Sequence, residues 1–150
     1  MSTISTMRTK GTLEIPKVKE RGRVMAKRNA EEYRLQCAIV EILQVLENQG
    51  QIAGFYHWPN GMRVSIGQAV KFKKMGMKKG PWDLYVVSNY GEVIWMECKA
   101  QKGKLTEEQE LFQSIHHLHL RMYWWTVKSV DDAVAMLKSI GIVFPSCFVP

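Results

Sequence analysis

The run Gly80-Pro81-Trp82-Asp83-Leu84-Tyr85-Val86-Val87 is followed, after Ser88, by Asn89-Tyr90-Gly91 and then by Glu92-Val93-Ile94-Trp95-Met96-Glu97-Cys98-Lys99. It reads as two strands around a turn. Both flanks are rich in β-branched and aromatic residues, and the residues between them carry turn chemistry. A three-residue loop, Asn89 to Gly91, places Gly91 at the left-handed position such loops favour. Ser88 then faces Glu92, and the residue numbers of every facing pair add to 180, so Asp83 lies opposite Glu97. Directly opposed residues share a face, with Cβ atoms roughly 4.5–5.5 Å apart. The two-residue alternation of a strand puts Lys99 on that face beside Glu97.

Opposed carboxylates repel, and a sheet ordinarily avoids them. A divalent cation between Asp83 and Glu97 removes the conflict. A site built from oxygen donors suits a hard ion such as Mg²⁺, or Mn²⁺ in its place. The backbone carbonyl of Cys98 is a further candidate ligand. The Lys99 ammonium would stand beside an attacking water or a phosphate oxygen, as metal-assisted attack on a phosphodiester requires. The plainer alternative is a hairpin with an Asp at its start and an exposed Glu/Lys pair. The pattern is too short to choose by itself, and the rest of the chain bears on the choice.

A chain of 150 residues, 46% hydrophobic and 23% charged, is expected to form one soluble globular domain. It has no apolar run of the roughly 18 residues that span a bilayer. The first residues lack the hydrophobic segment of a secretory signal. Cys37, Cys98 and Cys147 are odd in number and far apart, which fits neither a disulfide framework nor a zinc ribbon. The expected compartment is a reducing cytoplasm. The net charge of +7 is concentrated at the start: residues 1–30 hold eight basic and two acidic residues, a net +6. Residues 1–28 are expected to form a basic, disordered arm, and 29–150 the folded domain. The arm is either a non-specific grip on a polyanion or simply a solvated tail.

Asn29 is a candidate cap for a helix from Ala30 to about Asn48, with Leu35, Ala38, Ile39, Ile42, Leu43 and Leu46 as its buried stripe. Glu32 and Gln36 are one turn apart. They either look toward a site or, for Glu32, only favour the first turn of the helix. A strand is expected from Ile52 to Trp58, ended by Pro59-Asn60-Gly61. Residues 59–82 form a long connection with room for a short helix near Ile66 to Phe72. It carries Arg63, Lys71, Lys73, Lys74, Lys78 and Lys79 and no acidic residue. Together with Lys102 and Lys104 beyond Lys99, these are candidate contacts to nucleic-acid phosphates. A solvated lysine face is the other reading.

Thr106-Glu107-Glu108-Gln109 is a capping box opening a helix to about Leu120. Leu111, Phe112, Ile115, Leu118 and His119 are the candidates for its buried side. His116, His117 and His119 lack the further ligands a zinc site needs. A strand follows from Arg121 to Val127, parallel to that of Glu97 because the connection crosses over a helix. Ser129 caps a final helix, Val130 to about Ser139, which Gly141 ends. The apolar tail from Ile142 onward is expected to pack on the body or on a second subunit.

The order helix, strand, strand, strand, helix, strand, helix, together with these residues, resembles the PD-(D/E)xK nuclease superfamily. Within it the chain is similar to the virus-type replication-repair nuclease (VRR-NUC) family. The resemblance runs over about residues 30–138. It is carried by Glu32 and Gln36, Pro59-Asn60-Gly61-Met62-Arg63, Gly76, Gly80-Pro81-Trp82-Asp83-Leu84, Glu97-Cys98-Lys99-Ala100 and Gly103-Lys104-Leu105-Thr106-Glu107-Glu108-Gln109. Pro81 stands one place earlier than in the usual family pattern, and Trp82 precedes Asp83. The resemblance implies an αβββαβ core with an added C-terminal helix, a small mixed sheet flanked by helices. It implies Asp83 and Glu97 as metal ligands, Lys99 as the residue orienting the attacking water, and Glu32 and Gln109 completing the site. Glu32 is thereby a further candidate metal ligand, and Asn60 a candidate DNA contact.

The expected function is a Mg²⁺- or Mn²⁺-dependent DNA endonuclease. By resemblance it is a homodimer acting on branched DNA such as four-way junctions, in phage replication, recombination or repair. Neither a membrane nor a small-molecule cofactor is expected. The rival readings are a non-catalytic basic DNA-binding protein and a nuclease subunit that needs a partner.

Overall fold

The computed structural model describes residues 17–59, 64–119 and 121–144. In chain order the elements are α1 (Lys17–Asn48), β1 (Ile52–His57), α2 (Ile66–Lys74), β2 (Leu84–Ser88), β3 (Val93–Cys98), α3 (Glu107–His116), β4 (Met122–Val127) and α4 (Val130–Ser139). The described chain is a mixed α/β structure with one four-stranded sheet in the order β1-β2-β3-β4. The first two pairings are antiparallel and β3–β4 is parallel. Among the described residues no helix is long and apolar enough to cross a membrane.

The central hairpin has the register its loop dictates. Leu84 pairs with Met96, Tyr85 with Trp95, Val86 with Ile94 and Val87 with Val93. The Ser88 N–H donates to the Glu92 carbonyl at 2.9 Å, and Gly91 sits at φ +76°. The Ser88 hydroxyl accepts from the N–H groups of Tyr90 and Glu92, which pins the loop from inside.

Alternation along the strands divides the sheet into two unlike faces. Leu84, Val86, Ile94, Met96, Cys98 and Val127 are buried against Ile39, Ile42, Leu43 and Leu46 of α1 and Ala133 and Leu137 of α4. This is the main core, and the α1 stripe is the one its helical spacing predicts. Ile142 joins it and Phe144 packs at its edge. The rest of the tail, from residue 145, lies outside the described residues. The opposite face carries Asp83, Tyr85, Trp95 and Glu97, and α3 covers part of it through Phe112, whose ring meets Trp95 and Trp124 edge-on.

Two expectations are corrected. The first helix starts by Lys17, so Asn29 is not its cap and residues 17–28 are helical instead of a disordered arm. Residues 1–16 lie outside the described residues. Lys, Arg, Glu, Met and Ala are good helix formers. Extending a helix that packing has already nucleated adds one bond per residue, which tolerates the single Gly22. The second correction concerns α3. It ends at His116, short of Leu120, and Leu111, Ile115 and Leu118 are exposed. Its inward stripe is Gln109, Phe112 and His116. The two stripes are about one residue, or 100°, apart around the helix. Apolar content favours the first, but a buried carboxylate on the sheet needs the amide that only the second provides.

Candidate active site

Asp83 stands just before β2, and Glu97 is the penultimate residue of β3. Their side chains reach across the hairpin to each other's backbone. The Asp83 N–H donates to Glu97 Oε2 and the Cys98 N–H donates to Asp83 Oδ2, both at 3.2 Å. Glu97 is only 1% exposed. Its Oε1 is 2.7 Å from Lys99 Nζ and accepts from Gln109 Nε2 at 2.5 Å. Lys99 and Gln109 are themselves buried. Burial first, and then the neighbouring Asp83 charge, raise the Glu97 carboxyl from its ordinary 4.5 to about 7. Lys99 and Gln109 pull the other way.

Local sequence explains how these groups are held. Thr106 caps α3, and the Thr106 N–H donates to Gln109 Oε1 at 2.9 Å. One amide therefore serves twice: its oxygen closes the capping box and its nitrogen holds Glu97. Trp82 is buried, donates from Nε1 to the Gln109 carbonyl at 3.3 Å and meets Trp124 edge-on at 5.2 Å. That anchor sits immediately before Asp83. Gly80, at φ +100°, lies so close to α3 that a Cβ would run into the Glu108 carbonyl. At Gly103 a Cβ would come within 3.1 Å of Glu32 Oε1 and 3.2 Å of Lys99 Cβ. The loop after Lys99 is thus packed tightly at this glycine, where a side chain would require Glu32 or Lys99 to shift by a few tenths of an ångström.

Glu32 comes to the same end of β3, half-buried, while Glu31 is exposed. Its Oε1 accepts the Ala100 N–H at 3.2 Å and lies 3.8 Å from Arg28 Nε. Among the described residues no group of three or more His, Cys, Asp or Glu side chains is placed to hold a metal ion. Glu32 therefore stands at the rim and does not form a triad with Asp83 and Glu97. The oxygen donors that do converge are those two carboxylates. The Cys98 carbonyl shares their side, because N–H and C=O of one strand residue point the same way and the Cys98 N–H points at Asp83. One buried carboxylate, one half-buried carboxylate and a carbonyl, all oxygen and with excess negative charge, fit a hard divalent cation. The Cys98 side chain lies in the core, where burial and the surrounding carboxylates push its thiol well above the usual range. It is no nucleophile.

The candidate DNA contacts divide by position. Lys71, Lys73 and Lys74 are exposed on α2, Lys78 and Lys79 are exposed on the way to Gly80, and Lys102 and Lys104 are exposed on the loop over the site. Asn60 and Arg63 lie outside the described residues. Ser65 and Gln68 form a capping box for α2, and no residue of that helix is buried. His116 meets Phe112 edge-on at 4.8 Å and lies 5.8 Å from the tilted ring of His119, as part of an aromatic cluster.

His57 was not legible as a site residue. It ends β1 opposite Leu84, next to Asp83. Its Nδ1 lies 2.9 Å from both Gln36 Nε2 and the Asp83 carbonyl. The Trp58 N–H donates to the same carbonyl at 2.9 Å. The same ring nitrogen either accepts from Gln36 or donates to the Asp83 carbonyl, according to its tautomer, so Gln36 and the Asp83 backbone meet at one imidazole without both bonding it at once.

Comparison with protein-family models, with characterised proteins and with solved structures returned no match.

Proposed function

We propose that this protein is a divalent-metal-dependent DNA endonuclease with a PD-(D/E)xK core, of the kind found in the VRR-NUC family. The observation that carries the reading is the convergence of Asp83, Glu97, Lys99 and Gln109 on one face at the hairpin's open end. A Mg²⁺ or Mn²⁺ held by Asp83, Glu97 and the Cys98 carbonyl would supply Lewis-acid polarisation of the scissile phosphate. Lys99 orients the attacking water and stabilises negative charge as it develops on the phosphoryl oxygens. The water oxygen bonds to phosphorus as one of its protons passes to solvent, the P–O bond to the departing sugar oxygen breaks, and that oxygen takes up a proton from solvent. Gln109 keeps Glu97 facing the site, and His57 keeps Asp83 in place.

The exposed lysines of α2, its following segment and the loop over the site supply sequence-independent affinity for phosphates. The preferred substrate is branched DNA of the kind that phage replication and recombination generate. Symmetric cutting of a junction calls for two copies of the site, hence a homodimer. The exposed Leu111, Ile115 and Leu118 offer apolar surface for it.

The test is cleavage of end-labelled four-way junction, flap, nicked, single-stranded and duplex DNA in Mg²⁺, Mn²⁺ or EDTA. Metal-dependent cutting that disappears in Asp83→Asn and in Lys99→Ala supports the reading. Intact binding with no cutting of any substrate replaces it with a non-catalytic DNA-binding protein or a subunit awaiting a partner.

A further inference from the structure

The sheet face that bears the carboxylates also bears a row of rings. Tyr56, Tyr85, Trp95 and Trp124 are register partners across all four strands. Successive ring centroids are 5.0, 5.0 and 5.8 Å apart. Tyr85 is two residues from Asp83, and Trp95 is two residues from Glu97. The row therefore runs beside the carboxylate pair, about 7 Å away along the strands.

The two ends of the row differ. Phe112 packs edge-on against Trp95 and Trp124, so that end is ordinary core. Tyr56 is on the edge strand, is 54% exposed, and stacks on Tyr85 with 24° between the ring planes. Among the described residues no strand lies beyond that of Tyr56 in the sheet. A ring so exposed adds little to the core, yet it extends a stack that runs beside the proposed cleavage centre.

We infer that the Tyr56 end of this row is a stacking site for an unpaired nucleobase, which places an unpaired nucleotide next to the scissile phosphate. The inference rests on the endonuclease reading and narrows its substrate. Three observations select a DNA strand as the occupant. Aromatic rings at stacking separation take any base, since every base has a π face. A nucleotide seated there has its own phosphates within reach of Asp83 and Glu97. Residues 64–79, between β1 and β2, carry five lysines and no acidic residue, a charge complement for a phosphate chain. An apolar peptide would have no use for those cations.

The test measures binding in EDTA, where no chemistry occurs. Fluorescence anisotropy compares oligo(dT) with a wholly abasic strand of the same length at fixed salt. Wild type is expected to bind oligo(dT) about 5- to 150-fold more tightly, the span that stacking of one base allows. Tyr56→Ala should bring oligo(dT) down to the abasic level, and Tyr56→Phe should keep the difference. Tyr56→Leu replaces the alanine variant if that one melts early. Equal affinity for the two strands, or no effect of losing the ring, overturns the stacking site. Tighter binding of oligo(U) than of oligo(dT) overturns the DNA assignment. Metal-dependent cutting without base dependence removes the stacking site alone. Base-dependent binding without any cutting removes the endonuclease and leaves a DNA-binding protein.

Discussion

The Asp83 N–H donates to Glu97 Oε2 at 3.2 Å, so a backbone bond ties together two residues whose charges repel. That tie fixes the spacing of the carboxylates whatever their protonation. Its consequence is a pH-dependent stability. The Glu97 carboxyl is raised to about 7, so between about 4.5 and 7 the folded chain holds a proton that the unfolded chain releases. Stability must therefore fall as pH rises through this window. The cost is absent below it and complete above it. Metal-free protein should lose on the order of 2 kcal/mol between pH 5 and 8, and Glu97→Gln should lose much less. Urea melts of both proteins across that range check it.

Lys99→Ala should lower the cleavage rate at least about a hundredfold, the usual effect of removing one charge-stabilising donor. DNA affinity should change little, because the ammonium is buried against Glu97 and the exposed lysines are elsewhere. Cleavage and anisotropy measured on the same preparation separate the two effects.

Mg²⁺ or Mn²⁺ at about a hundred times its dissociation constant should stabilise the fold by about 2.7 kcal/mol. Asp83→Asn removes one of two charged ligands and should abolish most of that gain. Thermal melts with and without metal, for both proteins, give the answer without any nucleic acid present.

Two glycines at positive φ should respond differently to alanine. At Gly91 the new methyl meets nothing nearer than Arg121 Nη1 at 3.9 Å, so the cost is left-handed strain of about 1–2 kcal/mol. Gly80→Ala adds a collision with the Glu108 carbonyl and must push α3 away from Trp82. It should lower the thermal midpoint more than Gly91→Ala and should also loosen Gln109 from Glu97. Calorimetry of the pair tests the ranking.

Replacing Lys74, Lys78 and Lys79 together by Gln should flatten the salt dependence of DNA binding. Each lost phosphate contact reduces the slope of log K against log salt by about 0.9 on duplex DNA and about 0.7 on single strands. A slope unchanged by the triple variant would show that these lysines are only a solvated face.

What was legible in the sequence was local. The loop Asn89–Gly91 sets the hairpin register by its length, which placed Asp83 against Glu97 before any tertiary contact was known. The capping box at Thr106, the Ser129 cap and the α1 stripe are likewise short-range patterns. Gln109 was open between a helix cap and a site residue, and its amide does both because the two ends of the side chain are independent. His57 could not be found this way. Its place beside Asp83 depends on the β1–β2 register, which is set across the long 59–82 connection. The exposed side of α3 was misread for a related reason. Apolar periodicity cannot know that a buried carboxylate waits on the sheet. The length of α1 was lost to its charge, since a basic, unpatterned run reads as disorder until a packed helix extends it.

The α2 excursion leaves and re-enters the domain at one point. The Trp58 N–H bonds the Asp83 carbonyl, and no residue of α2 is buried. A shorter link could replace residues 64–79 without disturbing the core, so long as the buried Trp82 at the returning end is kept. The segment is therefore an exchangeable module. Its sequence can change without altering the packing of the sheet it emerges from. Replacing residues 64–79 by a neutral linker of equal length should leave the thermal midpoint of the domain nearly unchanged.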